Sequence, residues 1–434
     1  MIKFFIFPLF LLVLFGCGGG SGGSQNTSGS GLSTDTDVTL DAYSATVDSL
    51  AEETIADVHR YRSSQAATSP SEGTVSTASS VGLNWLLFRG DPSLSGYTET
   101  QLPRNPNLLW TFESESRTSS SPVISNGITY WSDRRGHIRG VNLAGELVFS
   151  HDFQTAVNAT PMIHGDVLYI GRMDGFMTAV SLSRNELLWR FETLGQIEAS
   201  ANHAYFSGRH AIVFGSYDNY LYCIDSRTGE EINRFESGYY INGAVALLNN
   251  HVIFGGCDSW LRIIDTGTGV ATDSLLLDNY VPSSPAIIGN YCYVGDYSGN
   301  IYQIHLNNGK IASHKKILEA ESENASFSSV PAVTSESLYV LATDRHLYSI
   351  NRRDGRINWK YMLKGNAGES SPVVCRDRII VCTKTGIVSI LDARTGTLIW
   401  EYDTGEQIVA SPAVINGRFY ILTGRGTLFC FGDR

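Results

Sequence analysis

The sequence predicts an all-β fold, an eight-bladed β-propeller of four-stranded antiparallel blades. A Ser-Ser-Pro-like motif recurs eight times, and its third residue is Pro122, Pro161, Ala201, Val245, Pro285, Pro331, Pro372 or Pro412. The repeats are roughly forty residues long and each contains four short apolar runs, which is typical of propeller blades. Composition agrees, because 43 glycines against 12 prolines favour strands and turns over helices.

The outer strands carry a second marker that counts the blades independently. It is the residue Trp110, Phe149, Trp189, Asn233, Asp273, Ser313, Trp359 or Trp400. The strand "LLWTFES" at 108–114 precedes all inner strands, whereas the last repeat, ending at Arg434, has no outer strand of its own. We therefore expect the N-terminal strand to complete the last blade, closing a propeller over residues 108–434 and leaving no open edge.

The N-terminus resembles a bacterial lipoprotein signal. Residues 1–16 contain one lysine, a short apolar stretch and the lipobox-like Leu14, Phe15 and Gly16, which places Cys17 at the lipidated position. An ordinary secretory signal is the alternative. Because Gly18 rather than aspartate follows, the resemblance implies a lipid anchor in the outer membrane. We expect it on the periplasmic face, with the cell surface as the alternative.

Three segments separate this signal from the repeats. Residues 17–38, beginning with Cys17, are Gly/Ser-rich and predict a flexible tether. Residues 39–80 predict an amphipathic helix over roughly 40–62, followed by a Ser/Thr-rich linker. That helix would lie on the protein's own surface or dock a partner. Residues 81–107 form a lead-in segment before the first strand.

Charge and cysteine usage exclude two classes of function. A net charge of −11 argues against a nucleic-acid partner, which usually needs a clustered basic face. The cysteines after Cys17 form no C-x-x-C pair and have no adjacent histidine, so no metal site is predicted. Counting from a turn at Asp377-Arg378 places Cys375 opposite Ile380 and Cys382 opposite Val373. Buried free thiols are the expectation, although the compartment allows disulfides.

Several recurring residues have structural explanations. The aspartates at Asp225, Asp265 and Asp392 precede a glycine by four residues and fit tight turns. Four tryptophans should pack between adjacent blades, with each indole N–H donating to a backbone acceptor: Trp110, Trp189, Trp359 and Trp400. The small residues of the Ser-Ser-Pro-like motifs fit where eight strands converge on a channel. No G-x-S-x-G motif surrounds these serines, so no catalytic residue is predicted.

The repeat pattern Y-V/I-G-x-x-D-G-x-L/F-x-A-x-D/N-x-x-T-G-x-x-x-W resembles that of the PQQ-type β-propeller family. The resemblance covers about residues 108–434, and "WLLFRGDPSLSGYTETQLP" at 85–103 resembles the segment that precedes the propeller in exported members. It implies the fold. Function stays open, because the family includes quinoprotein dehydrogenases and proteins that bind no quinone.

The enzyme branch of that family would imply pyrroloquinoline quinone (PQQ), Ca²⁺, an aspartate base and a disulfide between adjacent cysteines. This chain has no adjacent cysteines, and its short repeats leave no long insertions for a lid. We therefore expect neither PQQ nor Ca²⁺. The other branch includes the BamB-like lipoproteins of the outer-membrane β-barrel assembly machinery, which resemble this chain in lipobox, tether, eight blades and short loops.

The sequence thus predicts a non-enzymatic, lipid-anchored scaffold that binds envelope proteins, with the outer-membrane assembly machinery as the candidate partner. A PQQ-dependent quinoprotein oxidoreductase and a carbohydrate- or polymer-binding surface protein are the alternatives. The expected partner-binding face carries aromatic loop residues of blades 3–5, unless their rings fold inwards between blades: Tyr217, Tyr220, Tyr239, Tyr240, Trp260, Tyr280 and Tyr297. On the same face four polar residues should ring the channel mouth, as a solvated rim or a small-ligand site: Asn158, Glu198, Asn242 and Glu369.

Overall fold

The computed structural model describes residues 84–206, 208–319, 326–327 and 329–434, and in these ranges it contains β-strands and no helix. The predicted signal peptide, Cys17, the tether and the amphipathic helix lie outside the described residues. No helix long and apolar enough to cross a membrane occurs in the part of the chain that the structure describes.

Eight four-stranded antiparallel sheets form the blades, numbered here along the chain. Blade 1 contains β3 (Val123–Ser125), β4 (Ile128–Ser132), β5 (His137–Val141) and β6 (Leu147–Asp152), and blade 2 contains β7 (Met162–His164), β8 (Val167–Gly171), β9 (Phe176–Ser181) and β10 (Glu186–Glu192). Blade 3 contains β11 (Asn202–Phe206), β12 (Arg209–Gly215), β13 (Tyr220–Asp225) and β14 (Glu231–Glu236), and blade 4 contains β15 (Ala246–Leu248), β16 (His251–Gly255), β17 (Trp260–Asp265) and β18 (Ala271–Leu276). Blade 5 contains β19 (Ala286–Ile288), β20 (Tyr291–Gly295), β21 (Asn300–Asn307) and β22 (Lys310–Glu319), and blade 6 contains β23 (Ala332–Val333), β24 (Ser337–Leu341), β25 (His346–Asn351) and β26 (Ile357–Met362). Blade 7 contains β27 (Val373–Cys375), β28 (Arg378–Cys382), β29 (Ile387–Asp392) and β30 (Leu398–Asp403), and blade 8 contains β31 (Ala413–Ile415), β32 (Arg418–Leu422) and β33 (Thr427–Gly432).

The ring closes as predicted. Strand β2 (Asn107–Glu113) pairs antiparallel with β33 and supplies the fourth strand of blade 8, with Trp110 opposite Cys430 and Phe112 opposite Leu428. The eight-bladed all-β prediction is therefore confirmed. Its physical basis is that the N-terminal strand pairs with the C-terminal blade, so β33 is not left as an edge strand.

Burial explains why the inner strands are mostly apolar whereas the outer strands mix apolar and polar residues. Strand β28 is buried along Ile379–Cys382, because neighbouring blades cover both of its faces. Strand β10, at the rim, has half-buried and exposed positions and no fully buried one. The apolar clusters lie between blades, as where Tyr130 of blade 1 packs with Ile163 and Leu168 of blade 2.

The predicted register of the blade 7 hairpin is wrong by one residue in the turn. Val373, not Cys375, lies opposite Ile380, and Cys375 lies opposite Arg378, because Arg376 takes a positive φ of 54° and starts the turn one residue earlier. The two cysteines still do not face each other. The six cysteines of the described residues are free thiols, and five are buried: Cys223, Cys292, Cys375, Cys382 and Cys430.

The lead-in segment runs around one end of the ring and contacts the innermost strand or the first hairpin of every blade. Its residues bond to the blades in chain order, beginning with Trp85, which pairs with Ile124. The carbonyl oxygen of Pro92 accepts hydrogen bonds from the Leu247 N–H and the Asn202 side chain. The other carbonyl oxygens of the segment each accept from one backbone N–H: Leu86 from Ile163, Ser93 from Ile287, Ser95 from Val333, Gly96 from Val374 and Gln101 from Gly417. Strand β1 (Tyr97–Thr98) pairs parallel with β27. Because these contacts fall near the turns after the innermost strands, we call this end of the ring the hairpin face.

Arg89 extends from the lead-in segment to the start of two innermost strands. Its Nη1 donates to the carbonyl oxygen of Pro372 at 2.6 Å and its Nη2 to that of Pro331 at 2.8 Å, and the side chain is fully buried. A Cβ atom on Gly96 would lie 1.9 Å from Arg89 Nη2, so this position requires glycine. The lead-in segment therefore joins blades 6 and 7 through the hydrogen bonds of Arg89, in addition to crossing both blades.

Candidate functional site

The opposite end of the ring, which we call the loop face, carries the loops that join second to third strands and one blade to the next. In blades 3–5 these loops bond to each other through the backbone. The N–H of Tyr217 donates to the carbonyl of Gln196 at 3.0 Å, and that of Tyr297 donates to the carbonyl of Tyr280 at 3.0 Å. The two kinds of loop therefore lie side by side, as the sequence prediction assumed.

The structure brings five of the seven predicted aromatic residues into two groups on the loop face. Tyr240 stacks on Tyr217, with ring centroids 5.1 Å apart and planes 9° apart, and it also contacts Tyr239 at 4.3 Å. Tyr280 and Tyr297 stack at 4.5 Å. Tyr240 is 38% exposed and Tyr297 is 51% exposed, so neither ring is buried between blades.

The other two predicted aromatics lie at the starts of third strands. Tyr220 is the first residue of β13, is half-buried, and has the Arg234 guanidinium 5.0 Å from its ring centroid. Trp260 is the first residue of β17 and is also half-buried. Both lie beside the two tyrosine groups along the chain, but neither has a ring contact with them in the structure as described.

Leu194 belongs to the same face and was missed by the sequence analysis. It follows β10, is 94% exposed, and its N–H donates to Asp218 Oδ2 at 2.9 Å. The next residue, Gly195, packs against the backbone of Tyr217 and Asp218, where a Cβ would lie 2.4 Å from the Asp218 nitrogen. A leucine outside any strand, between Thr193 and Gly195, was the available signal in the sequence.

Two of the four predicted channel-mouth residues bond to each other. Asn158 Nδ2 donates to Glu198 Oε1 at 3.2 Å, and the Tyr217 hydroxyl donates to Glu198 Oε2 at 2.7 Å. Asn242 Oδ1 lies 3.8 Å from the Cys257 thiol, whereas Glu369 is exposed. Glu198 thus links the polar residues to the tyrosine group.

This polar group does not fit a calcium ion. Ca²⁺ takes about six to eight oxygen ligands, carboxylates above all. The hydrogen-bonded group of Asn158, Glu198 and Tyr217 contains one carboxylate, Glu198, and both of its oxygens already accept hydrogen bonds. Among the described residues, no three histidine, cysteine, aspartate or glutamate side chains cluster at this place.

The four tryptophans lie at blade junctions. Three indole Nε1 atoms donate to a carbonyl oxygen of the next blade: Trp110 to Leu143 at 3.0 Å, Trp189 to Ser226 at 3.0 Å and Trp359 to Ala393 at 3.2 Å. Each of these indoles also lies against a turn glycine of that blade. Trp400 instead packs on Phe419 and Phe431, because in blade 8 strand β2 replaces the hairpin that would supply the glycine.

The serines at the channel bond one blade to the next. The N–H of Ser411 donates to Ser121 Oγ at 2.9 Å across the closure of the ring, and the N–H of Ser121 donates to Thr160 Oγ1 at 2.8 Å. Blades 6, 7 and 8 continue the series through Ser371 and Ser411. These hydroxyls accept from backbone N–H groups, which adds hydrogen bonding to the steric reason for small residues here.

Comparison with known proteins identifies the family to which this chain belongs. The model of the family described as outer membrane protein assembly factor BamB matches residues 174–334 and 324–434. The outer membrane protein assembly factor BamB of Legionella pneumophila is 27% identical over 136 residues, which are 31% of this chain and 33% of that protein. The match thus spans about a third of the length of this curated relative.

Solved structures agree on the fold. The crystal structure of BamB from Moraxella catarrhalis has a TM-score of 0.65 at 18% identity and covers 76% of this chain and 98% of its own. The quinohemoprotein alcohol dehydrogenase of Comamonas testosteroni has a TM-score of 0.67 at 13% identity and covers 81% of both chains. At these identities the likeness concerns the fold, which scaffolds and enzymes share.

Proposed function

We propose, from the premise that this chain belongs to the family described as outer membrane protein assembly factor BamB, that it is a non-enzymatic propeller scaffold of the bacterial cell envelope. It holds envelope proteins that take part in outer-membrane protein assembly, and it does so with its loop face. The family membership supports the process, and the geometry of the loop face supports the mode of binding.

The observation that carries the proposal is the pair of tyrosine groups on blades 3–5. Tyrosine offers a large apolar ring and a polar hydroxyl at low cost in side-chain entropy, and it is enriched at interface hot spots. The stacks of Tyr217 with Tyr240 and of Tyr280 with Tyr297 hold the rings in place before a partner arrives. Leu194 adds an exposed apolar side chain on the same face.

The bonds around these rings favour a surface that binds without rearrangement. The Tyr217 hydroxyl is fixed by Glu198, and Glu198 is fixed by Asn158. Ordering that is present before binding lowers the entropy cost of association. The partner would therefore bury Tyr240, Tyr297 and Leu194 against a preformed base.

The proposal includes a lipid anchor at Cys17 in the outer membrane, with the propeller in the periplasm. A tether of the predicted length, residues 17–38, has a root-mean-square reach of about 25 Å if it behaves as a flexible Gly/Ser chain. Such a tether would keep the scaffold near the membrane in which its partners are assembled. The proposal includes no quinone and no catalytic residue.

The binding half of the proposal is tested by photo-crosslinking in cells. A photoreactive phenylalanine is placed at Tyr240, at Tyr297, or at the control position Val270, which is 61% exposed in a hairpin on the opposite face of blade 4. We expect crosslinks to a subunit of the outer-membrane β-barrel assembly machinery from the first two positions only. Crosslinks of equal strength from Val270, or none from the tyrosine positions, would refute the assignment of the face.

The non-enzymatic half is tested by titrating the purified full-length chain with PQQ and Ca²⁺, followed by absorbance and calorimetry. We expect no saturable binding. Saturable binding with a shifted quinone spectrum would overturn this half and direct attention to an alcohol or sugar substrate. The two experiments fail independently, because the first reports a partner and the second a cofactor.

A further inference from the structure

Three histidines from two neighbouring blades converge at the hairpin face. His164 is the last residue of β7 in blade 2, whereas His203 and His210 lie on β11 and β12 of blade 3. His164 stacks on His210 with ring centroids 4.0 Å apart, and His203 lies 5.3 Å and 5.4 Å from the two other rings. One nitrogen of each ring lies within 4.8 Å of a nitrogen of each of the others.

An unusually long hairpin brings His210 to this place. Strands β11 and β12 have five and seven residues, whereas the corresponding strands of blades 2 and 4 have three and five. The extension pairs Tyr205 with His210 and Phe206 with Arg209. Without the extra residues, β12 would start beyond His210 and the third ring would be absent.

One ring nitrogen of His210 has a hydrogen-bond partner and the other has none in the part of the chain that the structure describes. Its Nδ1 lies 2.8 Å from Ser226 Oγ, and the Ser226 carbonyl accepts from the Trp189 indole and the Tyr169 hydroxyl. Its Nε2 is buried and has no hydrogen-bond partner among the described residues. A buried, unpaired ring nitrogen is costly and needs an explanation, such as an ion. A hydrogen bond on the other ring nitrogen is the usual support of a ligating histidine.

The electrostatics agree with this geometry. Burial lowers the pKa of His203, and burial together with His164 and His203 lowers the pKa of His210 to about 4, against the opposing effect of Asp225. Neutral imidazole is the form that ligates metal ions. No carboxylate belongs to the set of three side chains, which disfavours Ca²⁺ and Mg²⁺.

We propose that His164, His203 and His210 bind one divalent transition-metal ion of the zinc class, with water in the remaining position. Imidazole suits Zn²⁺, Cu²⁺ and Ni²⁺, and three protein ligands with one open position form a common tetrahedral arrangement. At a zinc–nitrogen distance of about 2 Å the nitrogens must approach to roughly 3.3 Å of one another. His164 is exposed and can make most of that adjustment.

The ion would join blade 2 to blade 3 where the lead-in segment crosses them. His164 belongs to one blade and the two other ligands to the next, so binding adds a crosslink between sheets whose other contacts are packing and hydrogen bonds. This site lies on the face opposite the tyrosine groups, and the inference does not depend on the proposed function.

The test is a Zn²⁺ titration of the untagged, metal-free full-length chain in competition with a chromophoric chelator. We expect one equivalent to bind and the melting temperature to rise until that equivalent is reached. The variants His164→Ala and His210→Gln should each weaken Zn²⁺ at least tenfold. His314→Ala, which removes an exposed histidine of blade 5, is the matched control and should leave the affinity unchanged.

Substitution of Co²⁺ for Zn²⁺ identifies the type of side chain that binds the ion. Co²⁺ bound by three imidazoles and water should give the intense visible bands of a four-coordinate ion, without thiolate charge transfer, and His164→Ala should abolish them. Because His164 is exposed, this variant should keep the circular dichroism spectrum of the native chain. Failure to bind one equivalent, unchanged affinity in His164→Ala, or a thiolate signal would each overturn the proposal.

Discussion

Replacing Arg89 by methionine should destabilise the propeller, because its guanidinium joins the lead-in segment to blades 6 and 7. Nη1 and Nη2 donate to the carbonyl oxygens of Pro372 and Pro331, and the side chain is 1% exposed. Burial lowers the pKa of Arg89 to about 9, against the opposing effect of Asp91, so the group is still cationic at neutral pH. Both hydrogen bonds are therefore charge-assisted.

The expected loss follows from what methionine leaves behind. Two buried carbonyl oxygens lose their donors, which costs about 1–3 kcal/mol each. Removal of a buried charge offsets part of that cost, because its desolvation penalty disappears. We therefore expect the free energy of unfolding to fall by about 2–4 kcal/mol. For ~350 ordered residues the unfolding entropy is roughly 0.7 kcal/mol/K, so the melting temperature should fall by about 3–6 °C.

Urea unfolding of the full-length chain, followed by circular dichroism, measures this loss. Arg104→Met is the control, because Arg104 is an exposed arginine of the same segment and its loss should change stability by less than about 0.5 kcal/mol. Arg89→Lys keeps the charge but lacks the planar fork that reaches two carbonyls, so it should also destabilise. An Arg89→Met variant as stable as Arg104→Met would refute the view that the segment is fastened by this side chain.

Other perturbations test the blade junctions and the acid sensitivity of the fold. Gly229→Ala should destabilise the protein by about 1–3 kcal/mol more than Gly165→Ala, as measured by thermal unfolding. Both glycines have a positive φ, so both variants strain the backbone. Only at Gly229 would the added Cβ also lie 2.7 Å from Trp189, because nothing lies within 4 Å at Gly165. Ser121→Ala should cost about 1–3 kcal/mol in urea unfolding, because a buried backbone N–H of blade 8 loses its acceptor, and a cost below about 0.5 kcal/mol would contradict this role. Burial raises the pKa of Asp133, but hydrogen bonds from an arginine side chain and two backbone N–H groups outweigh it and lower that pKa. The stability that Asp133 contributes is therefore present above its unfolded pKa of about 3.9 and lost below it. The free energy of unfolding of the native chain and that of Asp133→Asn, both measured in urea, should therefore differ less at pH values below about 4 than at pH 7.

The blade 7 hairpin shows where local pattern reading fails. Val373, Val374, Ile379 and Ile380 are all buried, so both faces of the hairpin are apolar. A shift of register therefore exposes no polar residue and buries none, and the hydrophobic pattern cannot choose between turns. The turn is fixed by the positive φ of Arg376, and because this residue is not a glycine, the sequence does not indicate that conformation.

Contacts between distant repeats were the second kind of information missing from the sequence. The lead-in segment bonds through backbone carbonyls to blades that are roughly forty residues apart, and backbone bonding leaves no side-chain signature. The histidine group combines the end of one repeat with the hairpin extension of the next, so no short motif contains it. The exposure of Leu194 likewise depends on how its loop lies beside Asp218.

The sequence by itself determined the fold class, the number of blades and the closing strand, because each blade repeats the same local pattern of apolar runs and turns and the surplus N-terminal strand matches the missing last one. It also determined that the loops of blades 3–5 carry tyrosines. The tertiary structure alone decided which tyrosines stack, which tyrosines remain exposed, how the channel serines bond and where three histidines meet. The reason is that these contacts join residues of different repeats, whose distances follow from the closed ring and not from their spacing in the chain.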